Sequence, residues 1–163
     1  VDFVVRRGTI EDIDRLAPLW EALRAHHATL PAMPPKRAPN RSWQYRRGQY
    51  RTWLEEGRGT LLIAERDDEA IGYAMLTTGP GAATWDVGET IVEVETLSVL
   101  AAERRQGVGT ALLEAAEEFA REVGARTLAV GVAYTNSEAI RFYERHGYQS
   151  FYVTLLRTGV GEE

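Results

Sequence analysis

The stretch from Glu93 to Leu113, EVETLSVLAAERRQGVGTALL, constrains this chain more than any other. Thr90 to Val99 is rich in β-branched residues and reads as a strand. A helix then opens at Arg104-Arg105-Gln106-Gly107-Val108-Gly109. Its apolar positions Val108, Ala111, Leu112, Ala115, Phe119 and Val123 trace one face, and Gly124 closes it. A strand entering a helix through such a turn sets successive backbone N–H groups at the positive end of a helix dipole. Gly107 and Gly109 carry no Cβ, so a phosphate can approach the backbone closely. This chemistry suits a pyrophosphate. Two common phosphate loops do not fit. Leu112 stands where a dinucleotide fingerprint has its third glycine, and no Gly-Lys-Ser/Thr follows for a P-loop. Taken alone, the segment is also compatible with an ordinary glycine-bearing strand-to-helix turn.

Around this junction the chain reads as alternating elements without internal repeats. Phe3-Val4-Val5 is a short first strand, and Thr9 with Asp12 forms a capping-box-like helix start. Ile13, Leu16, Trp20 and Leu23 are the expected apolar stripe of that helix, which Pro18 would kink or split. Prolines at 31, 34, 35 and 39 make a loop up to Asn40. A helix to Gly57 follows, with Trp43, Tyr50, Trp53 and Leu54 inward and the arginines outward. Thr60–Ala64 and Ile71–Thr77 read as strands joined at Asp67-Asp68-Glu69, and Gly79–Gly88 as a flexible loop. After the central helix come a strand through Leu128, Val130 and Val132 and a helix from Ser137 to His146. One or two closing strands are expected from Tyr148 to Leu156. The order implies one α+β domain over residues 1–163, built on a mixed sheet.

Composition narrows the function classes. At 163 residues, 44% hydrophobic and 26% charged, the chain suits one globular domain. No apolar run is long enough to span a bilayer, and no signal-peptide pattern opens the sequence, so a cytoplasmic protein without a membrane partner is expected. With no cysteine there is neither a thiolate nucleophile nor a cysteine zinc site, and three scattered histidines supply no ligand spacing; no metal is expected. A net charge of −5 argues against nucleic acid as a partner. The basic, aromatic segment from Lys36 to Trp53 is the local exception. It reads first as an amphipathic helix and second as a patch for a phosphate-bearing ligand.

Two blocks together resemble the GNAT N-acetyltransferase superfamily. The first is Leu97-Ser98-Val99 followed by Arg104, Gly107 and Gly109, which is similar to that superfamily's coenzyme-binding motif. The second runs Asn136, Ala139, Phe142, Tyr143, Gly147 and Tyr148 at the spacing of its N-x-x-A-x-x-F-Y-x-x-x-G-F/Y signature. The resemblance implies a three-layer α/β/α fold whose mixed, mostly antiparallel sheet splays at the coenzyme site. It implies acetyl-CoA as cosubstrate, an amine as acceptor and a homodimer as a plausible assembly. Carried over by residue, it implies that main-chain groups of Leu97, Ser98 and Val99 pair with the pantetheine arm. Amides from Arg105 through Gln106, Gly107, Val108 and Gly109 to Thr110 would hold the pyrophosphate. Asn136 would touch the coenzyme arm, and Tyr143 would protonate the leaving thiolate.

Each of these residues also has a plainer reading. Tyr143 beside Phe142 can be a half-buried aromatic, and Asn136 is a natural helix cap. Glu93 and Glu95 lie two apart on a strand and so share a face. Carboxylates there need water or a partner, so the face is either solvated or the wall of an acceptor pocket. On the second reading one of them, Glu95 ahead of Glu93, takes the proton an ammonium must lose before it attacks a thioester. The acidic face favours a cationic acceptor. A non-catalytic acyl-CoA sensor is the alternative function, and a nucleic-acid-binding domain built on Trp43–Trp53 the third.

Overall fold

The computed structural model describes residues 2–162 and contains one five-stranded sheet with strand order β1-β2-β3-β4-β5. The strands are β1 (Val4–Arg7), β2 (Gly59–Arg66), β3 (Glu69–Pro80), β4 (Thr90–Val99) and β5 (Thr127–Val130). Neighbours from β1 to β4 pair antiparallel, and β4 pairs with β5 in parallel. The turn between β2 and β3 sets both Asp67 (φ 51°) and Asp68 (φ 63°) in the left-handed region, as a two-residue hairpin matched to strand twist requires. Short polar side chains tolerate that conformation best after glycine.

Four helices cover the sheet: α1 (Ala17–His27), α2 (Pro39–Glu55), α3 (Val108–Glu122) and α4 (Ser137–Arg145). Side chains alternate across each strand, so the sheet carries a separate core on each face. On one face α3 lays Val108, Leu112, Ala116 and Phe119 over Leu62, Ala74, Leu76, Val92 and Val94. On the other, Ile13, Leu16, Leu19, Tyr50 and Trp53 pack over Leu61, Ile63, Tyr73 and Met75. The arrangement is the expected mixed, mostly antiparallel sheet between two helical layers. No helix among the described residues is long and apolar enough to cross a membrane.

Several sequence expectations need correction. The first helix is split: a 3₁₀ segment at Ile10–Leu16 precedes α1, with Pro18 in the first turn of α1, where its missing N–H costs nothing. The tighter winding resets the buried stripe to Ile13, Leu16 and Leu19, each three apart, and leaves Trp20 and Leu23 only partly buried. The capping box of Thr9 and Asp12 does form. Asp12 is buried, and its carboxylate accepts from Arg6, Arg15 and the Thr9 amide, while Arg6 and Arg15 also grip Glu65. These guanidinium contacts hold the Asp12 carboxyl well below the usual carboxylate range. Strand β3 runs on to Pro80, and β5 stops at Val130.

The closing strand is the largest correction. Tyr148 to Leu156 pairs with no strand among the described residues and runs outside the sheet. Phe151, Tyr152, Val153, Leu155, Leu156 and Val160 are all exposed, Leu155 by 89%. The segment has a strand-like pattern, but a strand exists only where an edge receives it.

Candidate active site

The site begins where β4 loses one of its neighbours. Pairing with β5 covers only Ile91 to Val94, so from Glu95 to Val99 that edge of β4 is open. On its other edge β4 follows β3 to the end, with one irregularity. Met75 faces Thr96 and Leu76 faces Val94, which leaves Glu95 as the extra residue of a β-bulge. The Leu100 amide donates to Ile71 O on β3, so by strand alternation the backbone groups of Val99, and of Leu97 two before it, face the open edge. An extended ligand with amides of its own can continue the sheet there.

Arg46 holds the bulge from the far side. Its guanidinium donates to Glu95 O and Thr96 Oγ1, each at 2.8 Å. The rings of Trp20, Tyr50 and Trp53 surround it, with centroids 5.2 to 5.4 Å away. Tyr50 Oη donates to the same Thr96 hydroxyl at 2.6 Å and meets Tyr73 Oη at 2.9 Å. The expectation that the arginines of α2 all point outward therefore fails for Arg46. An arginine can lie inside where three π faces and two oxygens replace its water. Ser98 adds a tie by donating to Leu19 O of α1.

The open edge faces a cleft of about 870 Å³. Leu97, Ser98 and Val99 form one wall, the turn residues Arg104, Arg105, Gly107, Gly109 and Thr110 another, and Asn136 and Tyr143 a third. Arg105 (φ 64°) and Gly107 (φ 83°) both take the left-handed conformation, which turns successive amides toward the first turn of α3. At Gly109 a Cβ would reach only ordinary van der Waals contact with Phe142 of α4, at 3.5 Å. Of the expected coenzyme contacts, Gln106 and Val108 do not line the cleft. Gln106 reaches back to Ala102 O, and Val108 is buried under α3.

Sequence reasoning missed part of this wall. Arg141 and Arg145, four apart on α4, join Arg104 and Arg105 around the cleft, and none of the four has a carboxylate partner among the described residues. His146 accepts at Nε2 from Thr110 Oγ1 (3.2 Å) when its Nδ1–H donates to Phe142 O (2.8 Å). It thereby ties the end of α4 to the start of α3. The donors and positive charges fit a pyrophosphate, and the open β4 edge fits an amide-bearing arm.

Asn136 caps α4 by accepting from the Ala139 amide at 3.2 Å, and it also lines the cleft; both sequence readings are compatible. Tyr143 is almost fully buried, edge-on to Phe142 and Tyr148, and burial raises its hydroxyl pKa above the ordinary tyrosine value. Tyr148, behind it, is pushed up to about 12 by burial, and its hydroxyl is buried without a partner.

Glu93 and Glu95 lie on β4 just before this wall, outside the residues that line the cleft. Thr77 Oγ1 donates to Glu95 Oε1 at 2.6 Å. Partial burial, and then the charge of Glu95, raise the Glu93 carboxyl above its usual range.

Residues 21–148 match the acetyltransferase (GNAT) family. The chain belongs to that family. It is 34% identical over 108 residues to an N-alpha-acetyltransferase of Sulfurisphaera tokodaii, covering 64% of each chain. It is 35% identical over 88 residues to aminoglycoside N(6')-acetyltransferase type 1 of Klebsiella aerogenes, covering 54% of this chain and 57% of that one. The chain thus spans less than two thirds of the length of these relatives. Its fold is shared with the aminoglycoside N-acetyltransferase AAC(6')-Iy solved with CoA, at a TM-score of 0.75 and 18% identity, covering 96% of this chain and 95% of that one.

Proposed function

We propose that this GNAT-family chain transfers an acetyl group from acetyl-CoA to a primary amine by direct attack. The observation that carries the reading is the open edge of β4 at Leu97–Val99, set between four unpaired arginines and Tyr143. Main-chain groups of Leu97 and Val99 bind the pantetheine amides, with Ser98 between them. The amides of Arg105, Gly107, Gly109 and Thr110, with Arg104, Arg141 and Arg145, hold the phosphates. Asn136 steadies the arm, and acetyl-CoA supplies the thioester whose acyl group is transferred. The Val99 amide, facing the open edge, donates to the thioester oxygen as negative charge develops there.

The proton inventory falls to three side chains. An acceptor ammonium is attracted to the Glu93–Glu95 face and gives up a proton there, directly or through water. Glu95 accepts a hydrogen bond from Thr77 and lies beside Glu93. The raised pKa of Glu93 brings it closer to a useful base at neutral pH, which favours Glu93 over Glu95 in this reading. Tyr143, kept protonated by its raised pKa, gives its proton to the departing sulfur and is reprotonated by the second proton that the acylated nitrogen sheds as the C–S bond breaks. A cationic amine is the acceptor this acidic face suits.

A homodimer belongs to the same reading. The six exposed apolar side chains between Phe151 and Val160 present, over two copies, roughly 1,500 Å² of surface, the size of a stable interface. The outer edge of β5 has no strand on it, so a second copy's tail is the occupant that fits.

The test is thiol release from acetyl-CoA across a panel of amines, with Tyr143→Phe beside the wild type. The expected result is release with one amine class. Turnover should fall roughly 10- to 100-fold in Tyr143→Phe, with coenzyme affinity nearly unchanged. Equal turnover in the variant removes Tyr143 from the mechanism. Coenzyme binding without release for any amine supports an acyl-CoA sensor instead.

A further inference from the structure

A second, smaller cavity of about 160 Å³ lies between α1, α2 and the proline loop, and Leu23 forms a wall of both cavities. Its other walls are Trp20, Arg24, His27, Lys36, Arg37 and Ser42. Three obligate or near-obligate cations and a histidine surround this space, and no carboxylate lines it. Arg24 has one recorded carboxylate contact among the described residues, the half-exposed Glu21 at 3.2 Å. Arg24 is itself mostly buried, and its Nε has no hydrogen-bond partner. One of its terminal nitrogens is spent on Arg37 O at 2.9 Å, which draws the loop cations toward the cavity.

The C-terminal dipole of α1 accounts for Arg24 and His27, whereas Lys36 and Arg37 come from the exposed loop, where the Arg37 guanidinium also lies over the Tyr45 ring, 4.8 Å from its centroid. Like charges around a concavity repel one another unless an anion lies among them. The same repulsion is legible in His27, whose pKa is lowered by burial and then by His26 and Lys36. Ser42 stands in the first turn of α2, where the helix dipole is positive, and its hydroxyl accepts from the Trp20 indole at 3.0 Å, so its own proton is free to be donated.

We propose that this cavity is an oxyanion subsite, and that the acceptor amine carries a carboxylate or phosphate group that docks there. The proposal rests on the acetyl-transfer reading above and deepens it. The amine end of the acceptor meets Glu93 and Glu95, the anionic end meets Lys36, Arg37 and Arg24, and the thioester lies across Leu23. The acceptor is then zwitterionic rather than simply cationic.

The test compares three primary amines of matched length that end in a carboxylate, a phosphate or a neutral amide, in wild type and in the double variant Lys36→Ala/Arg37→Ala. In wild type, kcat/KM for at least one anionic acceptor should exceed that for the amide by about tenfold or more. In the double variant the preference should fall toward unity through KM, with kcat for the amide unchanged. The carboxylate and phosphate arms tell the two anion sources apart. Lys36→Glu should reverse the preference. Equal use of all three amines by wild type, or a preference that survives the double variant, overturns the proposal.

If no amine supports release, the acetyl-transfer reading fails on its own, and the cavity is then judged by inorganic phosphate. With coenzyme A saturating the larger cleft, phosphate should raise the wild-type melting temperature and leave the double variant unmoved. No rise in wild type, or an equal rise in both, overturns the subsite.

Discussion

Replacing Arg46 with methionine exposes how much of the site depends on a side chain that does not line its main cleft. The guanidinium donates to Glu95 O and Thr96 Oγ1 at 2.8 Å and to Gln49 Oε1 at 3.1 Å. Hydrogen bonds from a charged donor contribute about 1.5–3 kcal/mol each, and each aromatic face about 0.5–1 kcal/mol. Against these stand several kcal/mol for dehydrating the cation and about 1–3 kcal/mol for its buried, unpartnered Nε. Methionine fills much of the same volume and removes that burden, but it strands the Glu95 carbonyl. Thr96 keeps its bond from Tyr50. The balance is a loss of about 2–3 kcal/mol, which for a domain of this size lowers the melting temperature by about 4–12 °C.

Activity should suffer more than stability. The stranded carbonyl belongs to the bulge residue, and relaxing the bulge shifts the open edge that follows it. A misplacement of about 1 Å at a reacting centre costs on the order of 100-fold. We expect kcat to fall at least about tenfold, with lysine, which has the charge but not the planar fork, recovering only part of it. Thermal unfolding followed by calorimetry, with thiol release for any amine that turns over, reads both effects. A methionine variant that melts within about 2 °C of wild type and keeps its kcat refutes the clamp.

Other outcomes follow from the same contacts. Asp12→Asn should cost about 2 kcal/mol at pH 7, given a half-exposed Arg6 partner and the loss of the charged cap. Because the native Asp12 pKa is depressed, its contribution is present above the unfolded carboxylate pKa and drains away as pH falls through the native one. Stability of the asparagine variant should therefore be flatter in acid; parallel curves would remove Asp12 from the balance. Glu93 is shifted the other way, so its ionisation costs stability as pH rises, while base catalysis requires the ionised form. The acid limb of kcat/KM should inflect above the usual carboxylate range, and Glu95→Gln should move it down by removing the neighbouring charge; an unmoved limb would assign the base elsewhere. Truncation after Tyr148 should convert a dimer to a monomer in analytical ultracentrifugation, and a full-length chain that sediments as a monomer at micromolar concentration would refute tail-mediated assembly.

What could be read from the sequence was what local chemistry decides. The junction at Arg104–Gly109 was legible because a helix start and a left-handed glycine are set by neighbours in the chain. Thr9 and Asp12 declared their capping box for the same reason. Arg46 was misplaced although the signal was present: it sits three after Trp43 and four before Tyr50, on the buried stripe, and only its charge argued for the outside. The buried Leu19 was hidden by assuming 3.6 residues per turn where the chain winds at three. Arg141 and Arg145 were not legible, since nothing in their own helix reveals a cleft formed with a distant turn. Tyr148 to Leu156 shows the harder limit: its alternation is strand-like, but pairing is a property of two segments.

The sheet has one more consequence, for how such a protein changes over time. The turn and helix that would grip the coenzyme rest on the α3 core, whereas α1, α2 and the proline loop rest on the core of the opposite face. Five strands of backbone stand between the two sets of packed side chains. Substitutions under α2, Arg46 excepted because it holds the β4 bulge, and substitutions under α3 should therefore combine additively. On the proposed reading, a lineage that keeps that clamp can re-tailor the layer that meets the acceptor, residue by residue, while the layer that holds the common donor keeps its packing.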